Sequence, residues 1–475
     1  MNVQSVLKCV VACAVGSLLL AGSASAQFNR QTLVANVERG PGGQISAGTS
    51  AARCGNTVLA GFGDSDSSFK NSSDGYSVST NGGKSFRDLG VLPVSSADNF
   101  GFGGDSLGFG GSSDFSATGE LDLSVACSNS NILYYSSWFI SGNTPDLCPG
   151  FPICAAISVS ISKDAGASWT LPIIAAAGSI DSHQFKYPSI AADPANPQRI
   201  YVGYWEQNGS PIDSDFTFPD CEGNFVTEIR VASSSDGGTT WTPPHIVDHV
   251  CDISSDPEMQ GDLAGPKIAV SPDGKVYLTY EFRPFHDPNT PVPNEIRFTR
   301  SLDQANTFST PIIASTDAIN NAVPHLGVDG SNLGSRGTIY LTWSGSPTGN
   351  STDVLVSDSV DEGVSFSFPR SISAGSQAHF QARSVVTVDN DAQVAACFYE
   401  TPGNSPSSSS VYSYNCATSF NKAASWTVQR LASSAPIGFD AVTGDFLLQN
   451  DGFFTSFELQ NGSGQRHVFG QSADR

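Results

Sequence analysis

The side chains able to do chemistry recur at matching places along this 475-residue chain. Asp262 and Glu281 bracket one short, turn-bounded segment. A carboxylate pair of this kind suits acid/base work on a glycosidic bond, one group giving a proton while the other assists attack. Arg283, Arg297 and Arg383 offer planar forks that fit a carboxylate bidentately. Trp205, Trp343 and Tyr399 can stack on sugar rings or pack between sheets, and Glu206 and Glu400 follow two of them directly. His183, His325 and His379 suit proton transfer. They lack a diagnostic metal spacing, so no metal is expected. No P-loop, nucleophile elbow or zinc-protease motif occurs, and no cofactor is expected.

Such scattered residues converge only if the chain is built from repeats. One octamer supplies them: Ser, any residue, Asp or Asn, any, Gly or Ala, two of any kind, then an aromatic. It appears at Ser79–Phe86, Ser162–Trp169, Ser234–Trp241, Ser301–Phe308, Ser359–Phe366 and Ser419–Trp426. Ser and Asp side chains bond backbone N–H groups in tight turns. Gly accepts positive φ, and the aromatic packs between neighbouring strands. Ala305 and Ala423 replace the Gly, so these two turns are expected to be distorted. Each octamer sits among short alternating runs, such as Ile200–Gln207 and Thr227–Gly237, as twisted, packed sheets require.

Six such octamers in order resemble the Asp-box (BNR) repeat of the sialidase-like β-propeller superfamily, over nearly all of the chain. The resemblance implies an all-β propeller with each box between the third and fourth strands of a blade, on the face opposite the ligand site. Six boxes suggest six blades. The segments after Trp426 supply three further strands, and Gln31–Val37 resembles an outer strand. A seventh blade closed by both termini is therefore expected, with six blades as the alternative.

In this register inner strands begin, and second strands end, on the ligand face. That places His183, Lys186, Asp262, His325, His379, Arg383 and Asp440 there, with Trp205, Glu206, Glu281, Arg283, Trp343, Tyr399 and Glu400; His286 follows on a loop. Expected catalytic groups are Glu281, Asp262, His183, His325 and His379. Expected substrate-binding groups are Arg283, Arg383, Trp205, Glu206 and Glu400. The Arg-Ile-Pro signature of true sialidases is absent, and Arg53 is the nearest match. The resemblance thus carries over the fold and not the sialidase catalytic set. It implies a glycoside hydrolase or lyase acting on extracellular glycans, or a non-catalytic glycan- or protein-binding propeller.

The remaining composition fits that picture. Lys8, an apolar run to Ala21 and Ala24-Ser25-Ala26 read as a signal peptide over residues 1–26. Residues 27–475 then form one secreted domain, extracellular or periplasmic, expected as a monomer. Eight cysteines follow residue 26, an even count that suits disulfides in an exported chain. The register pairs Cys54 with Cys127, Cys148 with Cys154, Cys221 with Cys251 and Cys397 with Cys416. A formal net charge of -22 argues against nucleic acid or anionic lipid as partners, and no later run is long enough to span a membrane.

Overall fold

The computed structural model describes residues 27–28, 32–35, 49–63, 74–93, 123–128, 131–142, 153–179, 183–209, 221, 225–252, 260–285, 293–319, 322–346, 351–372, 379–403, 410–433, 444–449, 452–460 and 466–474. Among these the regular elements are all strands. After β1 (Gln27–Phe28) and β2 (Thr32–Ala35) come six antiparallel sheets, each of four consecutive strands. Blade one is β3 (Thr49–Cys54), β4 (Thr57–Gly63), β5 (Asp74–Ser79) and β6 (Arg87–Val91). Blade two is β7 (Leu123–Cys127), β8 (Leu133–Gly142), β9 (Ile153–Ser162) and β10 (Ile173–Ser179). Blade three is β11 (His183–Ala192), β12 (Ile200–Asn208), β13 (Val226–Ser234) and β14 (His245–Cys251). Blade four is β15 (Gly261–Val270), β16 (Val276–Pro284), β17 (Glu295–Ser301) and β18 (Ile312–Ser315). Blade five is β19 (His325–Val328), β20 (Ile339–Gly345), β21 (Asp353–Ser359) and β22 (Arg370–Ser371). Blade six is β23 (His379–Val388), β24 (Val394–Pro402), β25 (Ser413–Ser419) and β26 (Thr427–Ser433).

The blades therefore number six, the alternative given above, which corrects the expectation of seven with the last closed by both termini. The last sheet is composite: β27 (Gly444–Gln449), β28 (Gly452–Gln460) and β29 (Arg466–Asp474) lack a fourth strand of their own. β1 and β2 both pair with β29 from the other end of the chain. β27 lies against β23 on one side and β3 on the other.

Between successive sheets lies a separate apolar layer. Tyr134, Ile157, Val202 and Tyr204 fill the layer between blades two and three. Trp205, Leu263, Leu278 and Phe282 do so between three and four, and Trp343, Leu341 and Phe298 between four and five. Each fully buried large apolar side chain contributes about 1.5–3 kcal/mol, so the ring holds by many small layers rather than one centre. Trp343 and Tyr399 have no exposed surface; of their two expected roles, packing between sheets is the one observed.

The octamers form one recurrent turn. In the fifth, the Ser359 hydroxyl donates to Asp361 at 2.7 Å and accepts the Gly363 N–H at 2.8 Å. Asp361 accepts the Ser365 N–H at 3.0 Å and its hydroxyl at 2.6 Å. These bonds pull the exposed Asp361 carboxyl down to about 2, with the Ser365 hydroxyl as the largest cause. The expected distortion at Ala305 and Ala423 does not occur. Their N–H groups reach Ser301 and Ser419 at 2.8 and 3.0 Å, with φ of 64° and 61°. The left-handed conformation costs an alanine about 1–2 kcal/mol, which the surrounding bonds offset.

Three disulfides lie wholly among the described residues: Cys54–Cys127 joins blades one and two, Cys221–Cys251 ties a loop to β14, and Cys397–Cys416 links β24 to β25. Cys154 is also disulfide-bonded; its expected partner, Cys148, lies outside the described residues, as do His286 and Asp440.

Candidate functional site

The end of each blade away from its octamer turn carries the ionisable groups. In blade three, His183 opens β11 opposite Asn208, while Ala192 and Ile200 meet at the octamer end. The strand between spans roughly 25–30 Å, so His183 stands far from the turns.

There the chain assembles a buried chain of charges. His183 Nδ1 lies 2.7 Å from Glu206 Oε1, with the histidine side chain 21% exposed and the glutamate 3%. Arg230 Nε forms an ion pair with Glu206 Oε2 at 3.1 Å, while its N–H donates to Glu228 Oε2 at 2.8 Å. Arg230 Nη2 also reaches Glu228 at 2.7 Å. Burial pushes the Glu228 carboxyl up to about 7, against the pull of Arg230. A carboxylate accepts, so the Nδ1 facing Glu206 donates, and in a neutral ring Nε2 is then the acceptor. Phe185 stacks on the ring, centroids 6.1 Å apart.

Blade four repeats this layout without the histidine. Glu228 and Arg230 stand six and four residues before Ser234, and Glu295 and Arg297 stand so before Ser301. Arg297 bonds Glu295 at 2.9 Å and Asp248 at 3.1 Å, and Tyr280 donates to Asp248 at 2.8 Å. In the strand register Glu206 faces Glu228, whereas Phe282 faces Glu295. Phe282 lies 4.1 Å under the Arg297 guanidinium and closes that cluster with an apolar ring. Where blade four has a lid, blade three has a second carboxylate that holds His183.

Beside this network, Trp205 Nε1 donates to Asp262 Oδ1 at 3.2 Å, linking blades three and four. Lys186 Nζ sits 5.6 Å above the Trp205 ring. Asp262 is the cross-strand partner of Arg283, and Arg283 Nη2 bonds Glu281 Oε2 at 3.1 Å. Glu281 is fully buried.

The other expected residues lie in separate settings. His325 accepts the Val386 N–H at Nδ1, 3.3 Å away. Part of its surface is accessible, but its ring is enclosed, and burial, with Lys267 nearby, pushes it down to about 3. His379 Nε2 meets Asp353 Oδ1 at 2.7 Å, with both side chains buried. Arg383 is buried at a β-bulge with φ of 56°. Glu400 accepts from Asn415 Nδ2 at 2.9 Å. Sequence reading missed Arg230, Glu228 and Asp353, because mid-strand charges read as a solvent-facing side. The available signal was Glu-Ile-Arg, present twice at one distance from the octamer.

Four-stranded sheets around a ring, each consecutive one turned by the octamer between its third and fourth strands, decide the architecture. The fold is a β-propeller. No protein-family model matches the sequence, and no curated protein does. Among solved structures the chain is similar to an α-L-arabinofuranosidase from Fusarium graminearum, at 12% identity and a TM-score of 0.49, over 94% of this chain and 98% of that one. A Hadza microbial sialidase matches at 14% identity and a TM-score of 0.46, over 88% and 73%. An intramolecular trans-sialidase from Ruminococcus gnavus matches at 11% and 0.45, over 74% and 94%.

Proposed function

We propose that the protein is a secreted, carbohydrate-active propeller that cleaves glycosidic bonds of extracellular glycans, by hydrolysis or elimination, on the face away from its Asp-box turns. On this reading residues 1–26 are the signal peptide and residues 27–475 form one monomeric domain. The observation that carries the proposal is the His183–Glu206 pair at 2.7 Å, partly open on the histidine side and pinned behind by Arg230. A carboxylate-oriented imidazole can take a proton at Nε2 and return it. Asp262 is the carboxylate available to work with it, and Arg283 suits an acidic sugar. Glu281, paired and buried, orients Arg283.

The test is turnover on a panel of neutral and acidic glycans. His183→Ala and Asp262→Asn should each lower kcat by about 10²–10⁴-fold, the usual contribution of a positioned proton carrier. Glu281→Gln should act on KM through Arg283. Full turnover in both of the first two variants would refute the assignment. The full burial of Glu281 favours, as the second reading, a glycan-binding propeller without chemistry. That reading predicts saturable binding, no product, and no response to His183→Ala.

A further inference from the structure

A cleft of about 300 Å³ opens between blades one and two, among the octamer turns and so far from His183. Val78, Phe86 and Leu89 supply apolar wall. Arg87 and Thr80, both exposed, supply polar groups, and the tip of the second octamer, Asp164 to Ala167, forms the opposite side.

One small residue, Ala165, lines the cleft. The fourth octamer position is Ala165 in blade two and Glu362 in blade five. In blade five the Glu362 carboxylate reaches back to Lys275 of blade four at 2.5 Å. Its carbonyl accepts Arg300 Nη1 at 2.6 Å. Arg300, the residue before Ser301, corresponds to Val78, the residue before Ser79. The inter-blade space that Glu362 fills is left open by Ala165.

The charges in the cleft are unevenly used. Asp164 accepts from the Ser162 hydroxyl and from both the N–H and hydroxyl of Ser168, and those Ser168 bonds hold its carboxyl below the usual range. Its oxygens serve the turn. Arg87 has no hydrogen-bond or ion-pair partner among the described residues. A guanidinium without such a partner among the described residues, at the mouth of a partly apolar cleft, is suited to an anion with an apolar body.

We propose that this cleft binds a carboxylate carried on a six-membered ring, with the carboxylate on Arg87 and the ring over Phe86 and Leu89. The shared chemistry covers an acidic sugar and an aromatic acid, and the volume is at the small end for ligand sites, enough for one ring. The site would sit on the opposite face from the proposed chemistry and anchor a glycan or small acid there.

Isothermal titration of the full chain with glucuronate, benzoate and glucose tests this. At least one of the two acids should bind saturably, and glucose at least tenfold more weakly. Glucuronate alone would indicate a sugar site, and benzoate alone an aromatic-acid site. Arg87→Gln should weaken binding of the acid at least tenfold. Ala165→Glu should abolish it, by closing the gap as Glu362 does; Glu362 has φ of 61° and Ala165 56°, so the backbone accepts the change. His183→Ala should leave this binding unchanged, which separates the cleft from the site on the other face. Absence of binding by either acid, or binding indifferent to Arg87→Gln, overturns the proposal.

Discussion

Replacing Glu228 by Gln should stabilise the protein, and only above mildly acidic pH. Glu228 has no exposed surface. Its carboxyl is raised from 4.5 to about 7, with burial as the largest cause and Arg230 the main opposing one. The folded protein therefore holds this proton more tightly than the unfolded chain does. Stability falls as pH rises from the unfolded value toward about 7, and the loss is complete above it. A rise of that size corresponds to about 3 kcal/mol. Gln keeps the shape and the neutral charge of the protonated acid. The variant should match the wild type near pH 4.5 and exceed it by about 2–3 kcal/mol at pH 8. Urea unfolding at pH 4.5, 6 and 8, followed by tryptophan fluorescence, measures the difference. A gap that does not change with pH, or a less stable variant at pH 8, would show that Arg230 fully compensates the buried charge and that the argument is wrong.

Two further outcomes concern the scaffold. Gly363→Ala places a methyl group against the Phe298 ring at a left-handed position and should cost about 2 kcal/mol or more, read as a lowered melting temperature. Ala305 tolerates the same φ, so the steric contact and not the dihedral should dominate. Among the disulfides, Cys54–Cys127 closes 73 residues and Cys397–Cys416 closes 19. Loop-closure entropy assigns them about 4 and about 3 kcal/mol, so the double serine variant of the first pair should unfold at lower urea than that of the second.

The scaffold was legible because its information is local and repeated. A Ser-x-Asp turn between alternating runs declares a hairpin wherever it occurs, and its register also paired Cys397 with Cys416. The site was legible only as a face. Which of its residues touch depends on neighbours in other blades, and no local pattern encodes that. His183 and His379 look alike in sequence, each opening an inner strand, yet one keeps an open side and the other is shut against Asp353. His325, at the same kind of position, is an acceptor for a backbone N–H. The Arg230 cluster was hidden because a charge in mid-strand is read as solvated, whereas in a ring of packed sheets both faces are interior.

The composite sheet has a consequence for how the protein is made. β1 and β2 are synthesised well before their partner β29, so the Gln27–Asp474 pairing must wait for β29. Until then the six consecutive blades form an open arc whose two end sheets leave apolar faces uncovered. Closure is thus a long-range event that depends on β29. A chain cut short before β29 cannot lock, and its exposed apolar faces make it a substrate for proteolysis or aggregation.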